Sequence, residues 1–155
     1  MSTILRRTTL KVRDMDQSIA FYEQVIGMKK YYDNELTLEG DLLPGCEKGD
    51  VIRLVIMQGE DDYMGMIGLM EWLSPKHPAP EVAFTFDYGM PVFVTAVEDA
   101  EIAFSNAKKN GCVIRAPLTE AEYPAPNGQG TVKVRSVGVF DPDGHFFELN
   151  QRLAG

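Results

Sequence analysis

The sequence has no apolar run approaching the roughly 20 residues needed to cross a bilayer. Its opening, MSTILRRTTL, lacks the apolar stretch of roughly 7–15 residues that a secretory signal carries. Cysteine and histidine are scarce: Cys46, Cys112, His77 and His145 are the whole complement. The two cysteines stand at no metal-type spacing, and without an export signal they read as reduced, partly buried thiols of a cytoplasmic protein. Basic residues are outnumbered, 15 Lys and Arg against 23 Asp and Glu, for a net charge of −8. That balance argues against nucleic acid or an anionic membrane surface as the main partner, because both demand a basic patch. No G-x-S-x-G elbow, Walker loop or dinucleotide fingerprint is present.

The 155 residues, 45% hydrophobic and 25% charged, have the composition of a globular protein. The length suits one domain or two small modules sharing a core. TTLKVR (8–13) alternates as a strand, with Leu10 and Val12 on one side. Asp14 and Asp16 offer N-caps for a helix through QSIAFYEQVI, and Gly27 suits its end. MKKYYDNELTL, VIRLVIMQ and MGMIGLMEW follow as strands, with LEGDLLPGCEKGD as a loop. After the breaker LSPKHPAPE the plan recurs. PVFVTAV is a strand, Asp99 caps a helix through DAEIAFSNAKKN that stops at Gly111, and CVIRAPL is a strand. EAEYPAPNGQG then reads as a long loop, followed by TVKVRSVGVF and HFFELNQ as strands. Both helices carry Ile-Ala-Phe, at 19–21 and 102–104. The repeated order of strand, helix and three strands suggests duplication.

"TTLKVRDMDQSIAFYEQVIGM" and "VGVFDPDGHFFELNQ" resemble the opening and closing signatures of the vicinal oxygen chelate superfamily, the glyoxalase, bleomycin-resistance and extradiol-dioxygenase group. The resemblance covers nearly the whole chain. It implies an α+β fold of two βαβββ modules, with eight strands in a curved mixed sheet around a cleft and the helices outside. The expected division is 1–72 for the first module, 73–89 for a linker and 90–155 for the second. It also implies a small-molecule ligand in the cleft and a homodimer. Fold is indicated better than reaction, since one frame hosts several chemistries.

Alternation along the strands proposes which side chains face the cleft. With Leu10 and Val12 toward the helix, Arg7, Thr9 and Lys11 turn to the cleft. In the fourth strand Met70 and Trp72 are expected to face the helix, and Leu69 and Glu71 the cleft. After the turn Asp141-Pro142-Asp143-Gly144, Phe147 and Leu149 are expected toward the helix, and Phe146, Glu148 and Asn150 toward the cleft. Each module would then end on an inward carboxylate. Glutamates near strand ends are also commonly solvated, which is the plain alternative.

In metal-binding members these positions supply two ligands, and His or Gln of each module's first strand supplies the others. Here the resemblance departs. The usual His-x-x-Leu-x-Val-x-Asp reads Arg7-Thr8-Thr9-Leu10-Lys11-Val12-Arg13-Asp14. Met90 or Val92, depending on the alignment, stands at the second place, and neither suits a divalent cation. Glu71 and Glu148 remain as metal ligands only if a metal binds. The expected cofactor is none or a weakly held divalent cation, not a firmly held His-ligated centre. Arg7 suits a carboxylate, either neutralising a glutamate or binding an anionic ligand, and an exposed N-terminal arginine is the alternative.

The candidate catalytic residues are therefore Glu71, Glu148 and Arg7. Thr9, Lys11, Leu69, Phe146, Asn150 and Tyr123 are candidate substrate contacts, Tyr123 through a lid-like loop from Glu120 to Gly130. His77 and His145 read as ordinary surface histidines. Two functions follow from the resemblance. The first, favoured by the retained glutamates, is an enzyme of isomerase, lyase or dioxygenase type with a degenerate site. The other is a protein that sequesters a drug or metabolite without turnover.

Overall fold

Two aspartates set the frame of the fold. The computed structural model, which describes residues 2–153, places Asp14 at the N-cap of α1 (Met15–Phe21) and Asp99 at that of α2 (Ala100–Lys109). Their backbones are nearly superimposable, with φ and ψ of −144° and 108° against −141° and 109°. Asp14 accepts the Gln17 amide at 3.0 Å, and Asp99 those of Glu101 and Ile102 at 2.8 and 3.1 Å. These bonds satisfy donors that a helix start leaves free. α1 continues as a wide π turn over Tyr22–Ile26 and stops at Gly27, whose φ of 84° favours glycine.

Eight strands accompany the helices: β1 (Arg7–Lys11), β2 (Lys29–Thr37), β3 (Val51–Gln58), β4 (Met66–Ser74), β5 (Val92–Ala96), β6 (Ile114–Pro124), β7 (Thr131–Phe140) and β8 (Phe146–Arg152). They form two four-stranded mixed sheets, ordered β1-β4-β3-β2 and β5-β8-β7-β6. In each the first strand runs parallel to the fourth, and the other pairs are antiparallel. This is the α+β, twice-repeated βαβββ plan that the order of elements predicts. The two units part between Glu81 and Val82.

The second unit departs from the sequence expectation at its hairpin. β6 runs on through Glu120 to Pro124, pairing Tyr123 with Val132 and Pro124 with Thr131. Only a six-residue connection, 125–130, remains, closed by Ala125 N–H on Gly130 C=O at 3.1 Å. Tyr123 is thus the end of a strand, half exposed, and not part of a long loop. Both Pro117 and Pro124 lie within this strand. β6 is an edge strand, where a missing N–H is tolerated, and Pro117 falls in the register shift between Ala116 and Thr119. Among the described residues no helix is long and apolar enough to cross a membrane, and Cys46 and Cys112 are both free thiols.

Candidate functional site

Parallel pairing decides which side chains share a face, since residues in register project the same way. In the first unit Arg7 pairs with Met66, Thr9 with Gly68, Leu10 with Leu69 and Lys11 with Met70. A Cβ built on Gly68 would lie 2.7 Å from Thr9 Oγ1 and 3.2 Å from Arg7 Cδ. Arg7, Thr9 and Lys11 therefore share a face with Gly68, Met70 and Trp72. Leu69 and Glu71 lie on the other face, with Leu10. Glu71 Oε2 accepts the amide of Met15, the first residue of α1, at 3.3 Å, so that face is the one toward the helix.

This reverses the expectation for the fourth strand. Glu71 and Leu69 turn toward α1, and Met70 and Trp72 turn away. Leu69 is fully buried beside Leu10. Glu71 and Arg7 consequently stand on opposite faces of one sheet, and the proposed neutralisation of Glu71 by Arg7 does not occur. The reason is plain in the burial. Met66 to Met70 are buried one after another, so no apolar–polar alternation carried the phase.

The second unit supplies the true counterparts. Val94 pairs with Glu148 as Thr9 pairs with Gly68, and Asp99 lies five residues after Val94 as Asp14 lies five after Thr9. The bond of Val12 N–H to Met70 C=O is matched by Val97 N–H to Asn150 C=O, both at 2.9 Å. Gly68 is thus the equivalent of Glu148. The equivalent of Glu71 is Gln151, whose Oε1 accepts the Ala100 amide at the start of α2, at 3.2 Å. By the same register Val92, paired with Phe146, matches Arg7, paired with Met66; Met90 lies before β5. The four positions that resemblance assigns to metal ligation hold Arg7, Gly68, Val92 and Glu148. One carboxylate, one cation and two side chains with no donor do not fit a divalent ion of the family type.

Glu148 stands on the face of the second sheet away from α2, because Gln151 and, by alternation, Leu149 and Phe147 face the helix. Phe146 lies over Gly138, where a Cβ would come within 2.8 Å of its ring. The rings of Phe140 and Phe146 are 5.2 Å apart, and Phe84 meets Phe140 edge-on at 5.6 Å. This aromatic group is the apolar neighbour of Glu148. Val94, its cross-strand partner, is 67% exposed. Asn150 Oδ1, on the same face, is buried with no hydrogen-bond partner. Among the described residues the Glu148 carboxylate has neither an ion pair nor a hydrogen bond.

In the first unit the face away from α1 carries a cluster that sequence reading missed. Lys11 Nζ lies 2.7 Å from His77 Nδ1 and 4.2 Å above the Trp72 ring. His77 stacks on Trp72 with centroids 5.1 Å apart and planes at 22°. Trp72 donates its indole N–H to Asp50 Oδ2 at 2.9 Å, and Asp50 is 6% exposed. The Trp72 N–H, with the Glu47 amide, holds the Asp50 carboxyl below its usual range. On this face Cys46, Ile52, Met70 and Trp72 pack together, flanked by Leu36, Leu38 and Leu54. His77 comes from the Pro-rich stretch, 66 residues from Lys11, and no local pattern announces so distant a contact. His145 is likewise engaged, its Nδ1 3.0 Å from the buried carboxylate of Asp141.

The comparisons agree with the repeated plan. The family model described as the Glyoxalase/Bleomycin resistance protein/Dioxygenase superfamily matches residues 4–149. No curated protein sequence matches the chain. A glyoxalase family protein from Bacillus cereus superposes with a TM-score of 0.80 at 18% identity, over 99% of this chain and 97% of that one. The trypanothione-dependent glyoxalase I of Leishmania major superposes with a TM-score of 0.62 at 20% identity, over 97% and 87%. A superfamily member from Sphaerobacter thermophilus gives 0.54 at 19% identity, over 97% and 98%. At such identities these likenesses establish the fold alone. The family match over nearly the whole length, with two βαβββ units in register, makes this chain a member of the glyoxalase/bleomycin resistance/dioxygenase superfamily.

Proposed function

We propose that the chain binds a small organic molecule without a family-type metal centre, in the manner of a sequestering protein. The observation that carries this reading is the replacement of the chelating set by Arg7, Gly68, Val92 and Glu148. The second unit's face away from α2 keeps one unpaired carboxylate beside aromatic rings, and the first unit's face away from α1 separately carries a cationic stripe beside apolar packing. A mostly apolar surface with a few polar groups is the usual make-up of a small-molecule site. Glu148 serves as the acceptor for a donor on the ligand, Phe146 as its apolar floor, and Asn150 as a second polar contact. Homodimerisation, which rests on the resemblance, and a cytoplasmic setting, which rests on the two free thiols Cys46 and Cys112, belong to the same proposal.

A specific observation supports a second reading, metal-free catalysis. Glu148 carries no neutralising partner among the described residues and lies beside an apolar wall, as a general base does. It would take a proton from a carbon next to a carbonyl of the bound substrate.

The test is elemental analysis of untagged protein, followed by ligand screening by thermal shift with and without a chelator. Sequestration predicts chelator-insensitive binding that weakens in Glu148→Gln. Catalysis predicts that Glu148→Gln still binds but loses turnover. Stoichiometric transition metal, with binding lost on chelation, would refute both.

A further inference from the structure

We propose that Arg7, with Lys11 as a supporting positive charge, recognises the carboxylate of a small organic acid. The inference deepens the ligand-binding reading above and rests on it.

The first observation is that some of the described cations of this protein are held in ion pairs, while others, Arg7 and Lys11 among them, are not. Arg53 is paired with Asp16 and Asp33, Arg135 with Glu101 and Glu120, Lys133 with Glu120 and Lys30 with Asp33. With a net charge of −8, carboxylates are plentiful. Arg7 and Lys11 nevertheless form no ion pair among the described residues.

Both are ordered instead by neutral groups. Arg7 donates its Nε–H to Thr9 Oγ1 at 3.1 Å. This draws the side chain along β1 toward Lys11 and leaves the terminal Nη1 and Nη2 edge, the fork that matches a carboxylate. Lys11 is held over Trp72 and against His77. Its ammonium stands 2.7 Å from His77 Nδ1, and an ammonium has three N–H groups, so donors remain available. Trp72 is itself tethered to buried Asp50. The arrangement holds two charges in place without spending them on each other or on a protein carboxylate.

Gly68 completes the site. The side chains of Thr9 and Arg7 lie against its bare backbone, where any Cβ would collide. Where the second unit has the carboxylate of Glu148, the first has the Thr9 hydroxyl and the Arg7 Cδ methylene. Arg7 is the anchor. Lys11, four residues on and about 13 Å away along the strand, supplies a second positive charge and widens the attractive field in an acidic protein.

Trp72 is the only tryptophan, so its emission reports on the Lys11 end of the site, and calorimetry reads binding at Arg7. Benzoate, benzamide and phenyl phosphate are titrated against the full chain, followed by Trp72 fluorescence and by calorimetry. Benzoate is expected to bind at least about tenfold tighter than its neutral isostere benzamide, a preference that weakens between about 50 and 500 mM salt. Arg7→Gln should bring benzoate down to the benzamide level, and Lys11→Met should weaken it about threefold, with thermal stability retained, since both side chains are exposed. Equal binding of benzoate and benzamide ends the carboxylate proposal but leaves the small-molecule reading standing. So does a tenfold preference surviving in the Arg7→Gln, Lys11→Met double variant. Phenyl phosphate binding more than about tenfold tighter than benzoate overturns the proposal in favour of a phosphate ester. Failure of every probe to saturate counts against both readings.

Discussion

In a Glu71→Gln variant the acceptor facing the Met15 amide is kept and only the charge is lost; in Glu71→Ala both are lost. The bond is 3.3 Å long and partly buried, and Met15 is 1% exposed, so water does not readily replace it. A negative charge at a helix N-terminus contributes about 0.3–1 kcal/mol, and the long contact puts Glu71→Gln near 0.5 kcal/mol. Orphaning the Met15 amide costs about 1–3 kcal/mol. Because Asp14 still caps the first turn, about 1.5 kcal/mol is expected for Glu71→Ala. Urea unfolding followed by far-ultraviolet circular dichroism reads both values, with an unchanged m-value expected. Gln151→Glu is the mirror test, expected to stabilise α2 by a few tenths of a kcal/mol. A Glu71→Gln protein of wild-type stability that no longer binds or turns over ligand would refute the assignment, since the carboxylate would then be acting on the ligand and not on the helix.

Gly68→Ala should cost about 1–2 kcal/mol, because Thr9 and Arg7 must both shift to admit the methyl group, and should weaken benzoate binding in the same titration. Gly144→Ala combines a φ of 89° with a Cβ 2.5 Å from the Ala83 carbonyl oxygen, which is backbone and cannot yield. A loss of about 3 kcal/mol or more is expected by thermal unfolding, and a neutral outcome would show the turn to be built differently. The Arg53 guanidinium holds the Asp33 carboxyl at about 2, against an ordinary 3.8. A lowered folded pKa means that its contribution is complete above about pH 4 and disappears as pH falls toward 2. Discounted for a side chain a quarter exposed, that is about 1 kcal/mol. Stability of Asp33→Asn should accordingly fall less steeply than wild type over that window, and parallel curves would contradict the pairing.

What the sequence made legible follows the physics of short-range signals. Asp14 and Asp99 announced both helices because a capping carboxylate is local. The alternating TTLKVR and the DPDG turn set the faces of β1 and β8 for the same reason. β4 resisted because it is buried on both sides, so its faces are phased only by pairing with its neighbours, β3 and β1, the latter nearly sixty residues upstream. Its glutamate looked like a partner of Glu148 because both follow apolar residues near a strand end; the register shows instead a carboxylate and an amide, Glu71 and Gln151, doing one job at two helix starts. The Lys11, Asp50, Trp72 and His77 cluster is assembled from three separate stretches of chain, and no spacing rule reaches that far.

The parallel join of first and last strand also bears on synthesis. Arg7 meets Met66 and Val92 meets Phe146, so each half begins with a ribbon that has no neighbour until its own final ribbon leaves the ribosome. Long loops must close before that contact stabilises anything, which slows assembly. Every strand partner of the N-terminal half has nonetheless been made by Ser74, so its sheet can knit while the C-terminal half is still being translated. A stalled product ending short of Met66 would leave the amino-terminal ribbon without its partner and the next open edge free for stray pairing.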